Sequence, residues 1–244
     1  MTLTISKREL QIEIAYNVRH IGGYQAARGV TNHNIVRSAG LQRLTERGLG
    51  ALADAGITTI VDLRSTVERT EQGAPDSARF GIRNVHNPIW EADASPAGLG
   101  DAFDGYAPIY RAMLDSGASA YRRLFETIVE SPEGVLFHCA AGKDRTGVAA
   151  ALLLELAGVA DADIIDDYAL SASLLAPMFA EFAPRMAERG IDAAKARRLM
   201  ASDPEDITDT LAHLRDRHGN AEGYMRSIGM SPGAIEDLNA RLVA

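Results

Sequence analysis

The chain contains one cysteine, and its neighbours are those of a nucleophile. Cys139 stands six positions before Arg145 in the run His138 to Gly147, HCAAGKDRTG. Apolar Val135, Leu136 and Phe137 precede the run, and apolar Val148 to Leu156 follow it. That order predicts a buried strand, a tight loop and a helix that ends at Gly158. A loop entering a helix N-terminus aims several backbone N–H groups at one point, where they and the helix dipole hold an anion of phosphate size. The same field ionises a thiol beside a guanidinium near neutral pH. Arg145 offers a planar fork of donors suited to two phosphoryl oxygens, while Gly142 and Gly147 permit close backbone approach. The implied chemistry is attack of sulfur on phosphorus, with Ala140, Ala141, Gly142, Lys143, Asp144, Arg145 and Thr146 as the phosphate cradle.

The other members of the loop have expected tasks. His138 braces the loop through backbone hydrogen bonds, and Thr146 places a hydroxyl beside the sulfur to stabilise it as a leaving group. Lys143 adds a second cation at the rim, which raises affinity for highly phosphorylated ligands. Asp144 is the candidate general acid, because a site that expels an alkoxide or phenoxide needs a proton donor near the leaving oxygen. Two rivals exist. Asp62 lies at the C-terminal end of the strand-like run Ile57 to Leu63, where open α/β sheets gather ligands, but its plainer role is an ion pair with Arg64. Asp93, after Trp90, ranks last, since an acidic turn behind a Trp is more often an anchored surface loop. A Cys-x5-Arg spacing alone also describes sulfurtransferase loops, against which Lys143 and Thr146 argue. A catalytically silent phosphate-binding module is the other alternative, and the intact Cys139, Arg145 and Thr146 argue against it.

The chain resembles the atypical bacterial tyrosine phosphatases that carry an HCxxGKDR loop. The likeness extends to Asn17 to Tyr24 (NVRHIGGY), Arg37 with Ser38, Thr59 to Glu68 (TIVDLRSTVE), Asp167 with Tyr168, and the Gly-x4-Tyr-x4-Gly stretch from Gly219 to Gly229. Val18 and His20 depart from the usual Phe and Asp, so no role is carried onto His20. The resemblance implies a phosphocysteine mechanism without metal, with Cys139 as nucleophile, Arg145 as clamp and the acid inside the loop at Asp144. Protein phosphotyrosine is the first substrate expected, and phosphoinositides, favoured by Lys143, are second.

Composition bounds the rest. A soluble chain of 244 residues suits one α/β domain. The net charge of -8 argues against a nucleic-acid or polyanionic-membrane surface. A single cysteine excludes an internal disulfide and fits a reducing compartment, hence the cytoplasm or export without a classical signal, since MTLTISKRELQIE is too polar for a secretory leader. No cofactor, metal or membrane insertion is expected, and a monomer is favoured.

The fold class expected is α/β: a central, mostly parallel sheet flanked by helices, with extra C-terminal helices. Strands are predicted over Gln11–Tyr16, Val36–Ser38, Ile57–Leu63 and Gly81–Val85, and helices over Glu46–Ala55, Ala107–Leu114 and Ser119–Glu130. Residues Asp93 to Gly105, rich in Gly, Ala, Asp, Ser and Pro, are expected to form a loop beside the cleft. Asp161 and Asp163 cap the helix that carries Tyr168, a commoner use for such acids than metal binding. The spacing of Leu174, Leu175, Met178, Phe179, Phe182 and Met186 makes one apolar face of the kind usually buried in a core, whereas the resemblance implies an inserted helical pair here, so that a lid over Cys139, about residues 160–200, is the alternative. Helices also run over Glu205–His218, Ala221–Ile228 and Pro232–Leu242, and the basic run His213 to His218 reads as a solvated face.

Overall fold

The computed structural model describes residues 8–91, 105–131, 133–188 and 190–243. Its strands are β1 (Arg19–His20), β2 (Gln25–Ala26), β3 (Gly29–Val30), β4 (Ile35–Ser38), β5 (Ile57–Asp62), β6 (Arg83–His86) and β7 (Gly134–His138). β2 and β3 form a small separate hairpin, and the others make one sheet in the order β1-β4-β7-β5-β6. Only the edge strand β1 is antiparallel to its neighbour. The register sets Ser38, His138, Asp62 and His86 level with one another across four parallel strands. These residues define the C-terminal rim of the sheet, and the cysteine loop leaves from its middle.

Strand alternation divides the apolar residues between two cores. Val135 and Phe137 of β7 face the larger core, and Leu136 faces the smaller. Helix α1 (Glu46–Asp54) covers the smaller core with Leu52. The short α2 (Thr66–Gln72) follows β5, then come α3 (Ala107–Ser116), α4 (Ala118–Glu130) and α5 (Asp144–Ala157). After these the described elements are helices: α6 (Asp161–Glu188), α7 (Ala193–Met200), α8 (Pro204–His218), α9 (Ala221–Ser227) and α10 (Pro232–Leu242). Helix α5 is apolar nearly all round because the sheet lies on one side and α3, α6, α8, α9 and α10 surround the rest. Each buried leucine there contributes roughly 1.5–3 kcal/mol by leaving water. Gly158, in the left-handed conformation, ends the helix as expected.

The predicted strand over Gln11–Tyr16 is instead a turn. Ile14 takes φ 59° and is exposed, and Ala15 N–H closes the turn on Ile12 O at 3.2 Å. The edge of the sheet is already filled there, because Arg19 and His20 pair with β4. The strand predicted from Gly81 starts at Arg83, since Gly81, at φ 73°, caps a 3-10 turn over Ala78–Phe80. The expected loop over Asp93 to Gly105 lies outside the described residues, save Gly105 itself. Asp161 starts α6 and is gripped by both Nη atoms of Arg215 at 2.6 Å, so part of the basic run on α8 is spent on an intramolecular pair.

Helix α6 has two unlike halves. Its buried residues, Ile164, Asp167, Tyr168, Ser171 and Leu175, all precede Pro177. Pro177 and Pro184 remove N–H donors from the second half, whose Phe179, Phe182 and Met186 are only half-buried. Among the described residues no helix is long and apolar enough to cross a membrane.

Candidate active site

The loop Cys139 to Lys143 joins β7 to α5, so Asp144, Arg145 and Thr146 occupy the first turn of the helix. Its carbonyls are tied back to the scaffold. Gly40 N–H donates to Ala140 O at 2.9 Å, Asn17 Nδ2 donates to Ala141 O at 3.1 Å and Gly142 O at 3.0 Å, and Arg37 Nη2 donates to Gly142 O at 2.8 Å. A peptide whose C=O is held outward turns its N–H inward. Among the described residues, no carbonyl or side chain takes the N–H groups of Ala140 to Lys143. They form an unpaired nest at a helix start, the arrangement that attracts an anion. Gly142 is required there: its φ is +66°, and a Cβ would lie 2.2 Å from Ser38 O.

Cys139 lies at the base of this nest and is 1% exposed. His138 Nδ1 pairs with Cys139 O at 3.1 Å, and burial lowers the tendency of the imidazole to protonate. Arg145 presents the Nη1–Nη2 edge of its guanidinium to Glu68 of α2, at 2.5 and 2.9 Å. A guanidinium has five N–H donors on more than one edge, so the Nε side remains available for phosphoryl oxygens. Burial opposes both charges, but the fork outweighs it: Glu68 is held below the ordinary carboxylate range and Arg145 is raised.

Asp62, the rival acid, is spent on the structural pair. Arg64 Nε and Nη2 reach its two oxygens at 2.9 and 2.7 Å, and Arg64 N–H adds a third bond at 3.1 Å. Burial works against the charge on Asp62, but Arg64 and His138 together hold it below its usual range. It therefore stays ionised at neutral pH and has no proton to give. Asp93 lies outside the described residues.

Asp144 accepts from Tyr110 Oη at 2.6 Å, and its side chain remains about one-quarter exposed, at 24%. Lys143 departs from expectation. It is not a solvated cation at the rim: its Nζ donates to Leu199 O at 3.2 Å and Ala201 O at 2.7 Å, sits 3.4 Å from the centre of the Tyr106 ring, and lies 3.3 Å from Asp144. Carbonyls at the end of α7 and a π face replace the water its ammonium loses, although burial still lowers its basicity. The Thr146 hydroxyl is buried with no partner among the described residues, an orphan that faces no competing bond.

A sequence-family model described as Tyrosine phosphatase family matches residues 10–244. The chain belongs to the tyrosine phosphatase family. Its enzyme class is protein-tyrosine phosphatase, a hydrolase, and the sulfurtransferase alternative falls away. The phosphatase is 33% identical over 222 residues to a tyrosine-protein phosphatase of Nostoc commune, across 85% of this chain and 73% of that one. It is 25% identical over 277 residues to the triple specificity protein phosphatase PtpB of Mycobacterium tuberculosis, across 94% and 97% of the two chains. Among solved structures it is similar to P. aeruginosa TpbA, at 16% identity and a TM-score of 0.36, over 81% of this chain and 87% of that one.

Behind the loop of this phosphatase lies a buried charge cluster that the sequence segments hinted at without joining. Asp167 of α6 pairs with Arg37 at 2.5 Å, Arg19 at 3.1 Å and Arg8 at 3.4 Å. Arg37 passes the restraint to Gly142 O, and Arg19 passes it to Asn17, which holds the two loop carbonyls from a left-handed φ of 56°. Burial opposes the charge on Asp167, but the arginines keep it below the usual range. Burial and the neighbouring Arg37 lower Arg19 to about 10, so it remains a cation at neutral pH. Sequence reasoning missed Glu68, Asn17 and Tyr110 as members of the site. Glu68 had a signal: Ser65-x-x-Glu68 is a capping box, and both of its bonds are present.

Proposed function

We propose that this phosphatase hydrolyses protein phosphotyrosine through a phosphocysteine intermediate, with no metal ion taking part. The observation that carries the reading is the nest of N–H groups over Cys139, unpaired among the described residues and closed by a guanidinium whose outer edge is already fixed by Glu68. The Cys139 sulfur attacks phosphorus, and the S–P bond forms as the P–O bond to the phenol breaks. Loop N–H groups and Arg145 hold the equatorial oxygens as charge shifts. Asp144 gives its proton to the departing phenoxide. It then takes a proton from the water that attacks the phosphocysteine, which frees inorganic phosphate and restores the thiolate. Thr146 Oγ1, without another partner among the described residues, suits stabilisation of that thiolate.

Phosphoinositides are the second reading, because the buried ammonium of Lys143, held by the carbonyls of Leu199 and Ala201, the Tyr106 ring and Asp144, becomes a further cation at the cradle if the C-terminal end of α7 withdraws. Phosphate release in EDTA from a phosphotyrosine peptide and from a phosphoinositide panel tests both. Faster turnover of the peptide is expected, and turnover of lipids alone would overturn the order. In the same assay Asp144→Asn should lower kcat/KM for phosphotyrosine about 10²–10⁴-fold and remove the basic limb of the pH profile, because activity is lost where the acid has given up its proton. An unchanged profile would place the acid elsewhere.

The whole chain acts as one domain in this reading, with the distal half of α6 and α7 as its lid. Exposed contacts hold that half: Glu181 accepts from Tyr16 Oη at 2.7 Å and Arg43 Nη1 at 2.6 Å. Weakly buried helices open at low cost. Hydrogen exchange over residues 176–200 is expected to be much faster than over α5, and equal protection would show that the segment is no lid.

A further inference from the structure

Asp144 has two oxygens, and its surroundings treat them differently. Oδ1 accepts from Tyr110 Oη at 2.6 Å and lies 3.3 Å from Lys143 Nζ. Among the described residues no donor reaches Oδ2. Tyr110, on α3, is fully buried, and its hydroxyl meets Tyr168 Oη of α6 at 2.7 Å. A carboxylate only accepts, so Tyr110 spends its single O–H on Asp144, and Tyr168 must then donate to Tyr110. The three groups form a directed chain in which each bond polarises the next. The two rings also meet edge to face, 6.0 Å apart, which fixes the hydroxyls from two separate helices.

We propose that Tyr110, backed by Tyr168, is a positioning residue for the general acid, directing the transferable proton to Oδ2 by occupying Oδ1. The proposal rests on the reading of Asp144 as that acid. As Asp144 yields its proton to the leaving oxygen, its carboxyl becomes charged, and the Tyr110 bond changes from a neutral to a charge-assisted one. The stabilisation grows along the reaction coordinate and therefore accelerates departure rather than binding. The relay itself does not titrate: burial and the charge of Asp144 push both phenols far above their ordinary range. The charged and titratable groups facing Asp144 are Lys143 and Arg145 from its own segment, Tyr110 from α3 and Tyr106 at its N-cap, Tyr168 from α6 and, beyond these, Asp206 of α8. Asp206 is raised by burial and caps the backbone N–H groups of Tyr106 and Ala107, so the relay's helix is anchored independently of Asp144.

The test is Tyr110→Phe, assayed as kcat/KM over aryl phosphates from p-nitrophenyl phosphate, whose leaving group needs little help, to phosphotyrosine. The loss of one bond to a charged group corresponds to about ten- to hundredfold on phosphotyrosine. Turnover of p-nitrophenyl phosphate should change little. The basic limb should move to higher pH, because ionised Asp144 has lost a donor. Tyr168→Phe, reached from a different helix, should act in the same direction with a smaller effect, which guards against a folding artefact in one variant. In an Asp144→Asn background Tyr110→Phe should add no further leaving-group dependence. An equal loss on every substrate with a fixed basic limb would make Tyr110 a packing residue and overturn the proposal. If Asp144→Asn itself leaves the leaving-group dependence unchanged, the acid assignment fails first, and the positioning role fails with it.

Discussion

Cys139→Ser is expected to abolish turnover of phosphotyrosine, with a loss of at least about 10⁴-fold in kcat, while binding of phosphate-sized anions persists. The replacement changes one atom at a position that is 1% exposed, so the fold and the N–H nest stay in place. What disappears is the ionisable nucleophile. Sulfur is much the stronger nucleophile, whereas the serine hydroxyl that replaces it needs a base to activate it. His138 cannot serve as that base, because Nδ1 is engaged with Cys139 O and Nε2 lies on the Asp62 side at 3.9 Å. Steady-state kinetics on a phosphotyrosine peptide, with titration of the variant by tungstate, separates the two functions. Retention of a tenth of the parent activity would remove Cys139 from the mechanism, and loss of tungstate binding would mean that the cradle needs the sulfur.

The second large effect belongs to Arg145→Lys. A lysine keeps the charge but loses the fork, so it cannot satisfy both Glu68 oxygens and still face two phosphoryl oxygens. Two charge-assisted bonds at about 1.5–3 kcal/mol each amount to about 3–6 kcal/mol, or roughly 10²–10⁴-fold in kcat/KM. The variant also leaves Glu68 as a part-buried carboxylate competing for the new ammonium. A loss below tenfold would show that the guanidinium is not the clamp. The pH response of the parent bears on the same pair. Glu68 titrates below its ordinary value in the folded protein, so its contribution is complete above that value and is lost only as pH falls through the lower, folded one. The Glu68–Arg145 fork therefore persists throughout the neutral range.

The strand, loop and helix around Cys139 were legible because their signals are local. Val135 to Phe137 form an unbroken apolar run, Gly142 is a backbone necessity, and Gly158 closes a helix of apolar residues. The pairing of Asp62 with Arg64 was legible for the same reason, since the two lie two positions apart at a strand end. The turn at Ile14 was not, because its short alternating pattern fits a strand and only the prior claim of β1 on the sheet edge excludes it. Partners brought together by packing left no pattern either. Glu68 meets Arg145 across 77 positions, and Tyr110 meets Asp144 across 34. Lys143 reads as a second cation at the rim until Leu199 and Ala201, more than 50 positions away, supply two carbonyls that bury it.

The solitary cysteine has a consequence for life in an oxidising environment. Once its sulfur is converted to a sulfenic acid, no second thiol in the chain can capture it as a disulfide. Rescue must come from a neighbouring amide nitrogen or from a small thiol that enters the pocket. Cys139 is 1% exposed, so recovery requires the loop around it to admit the reductant.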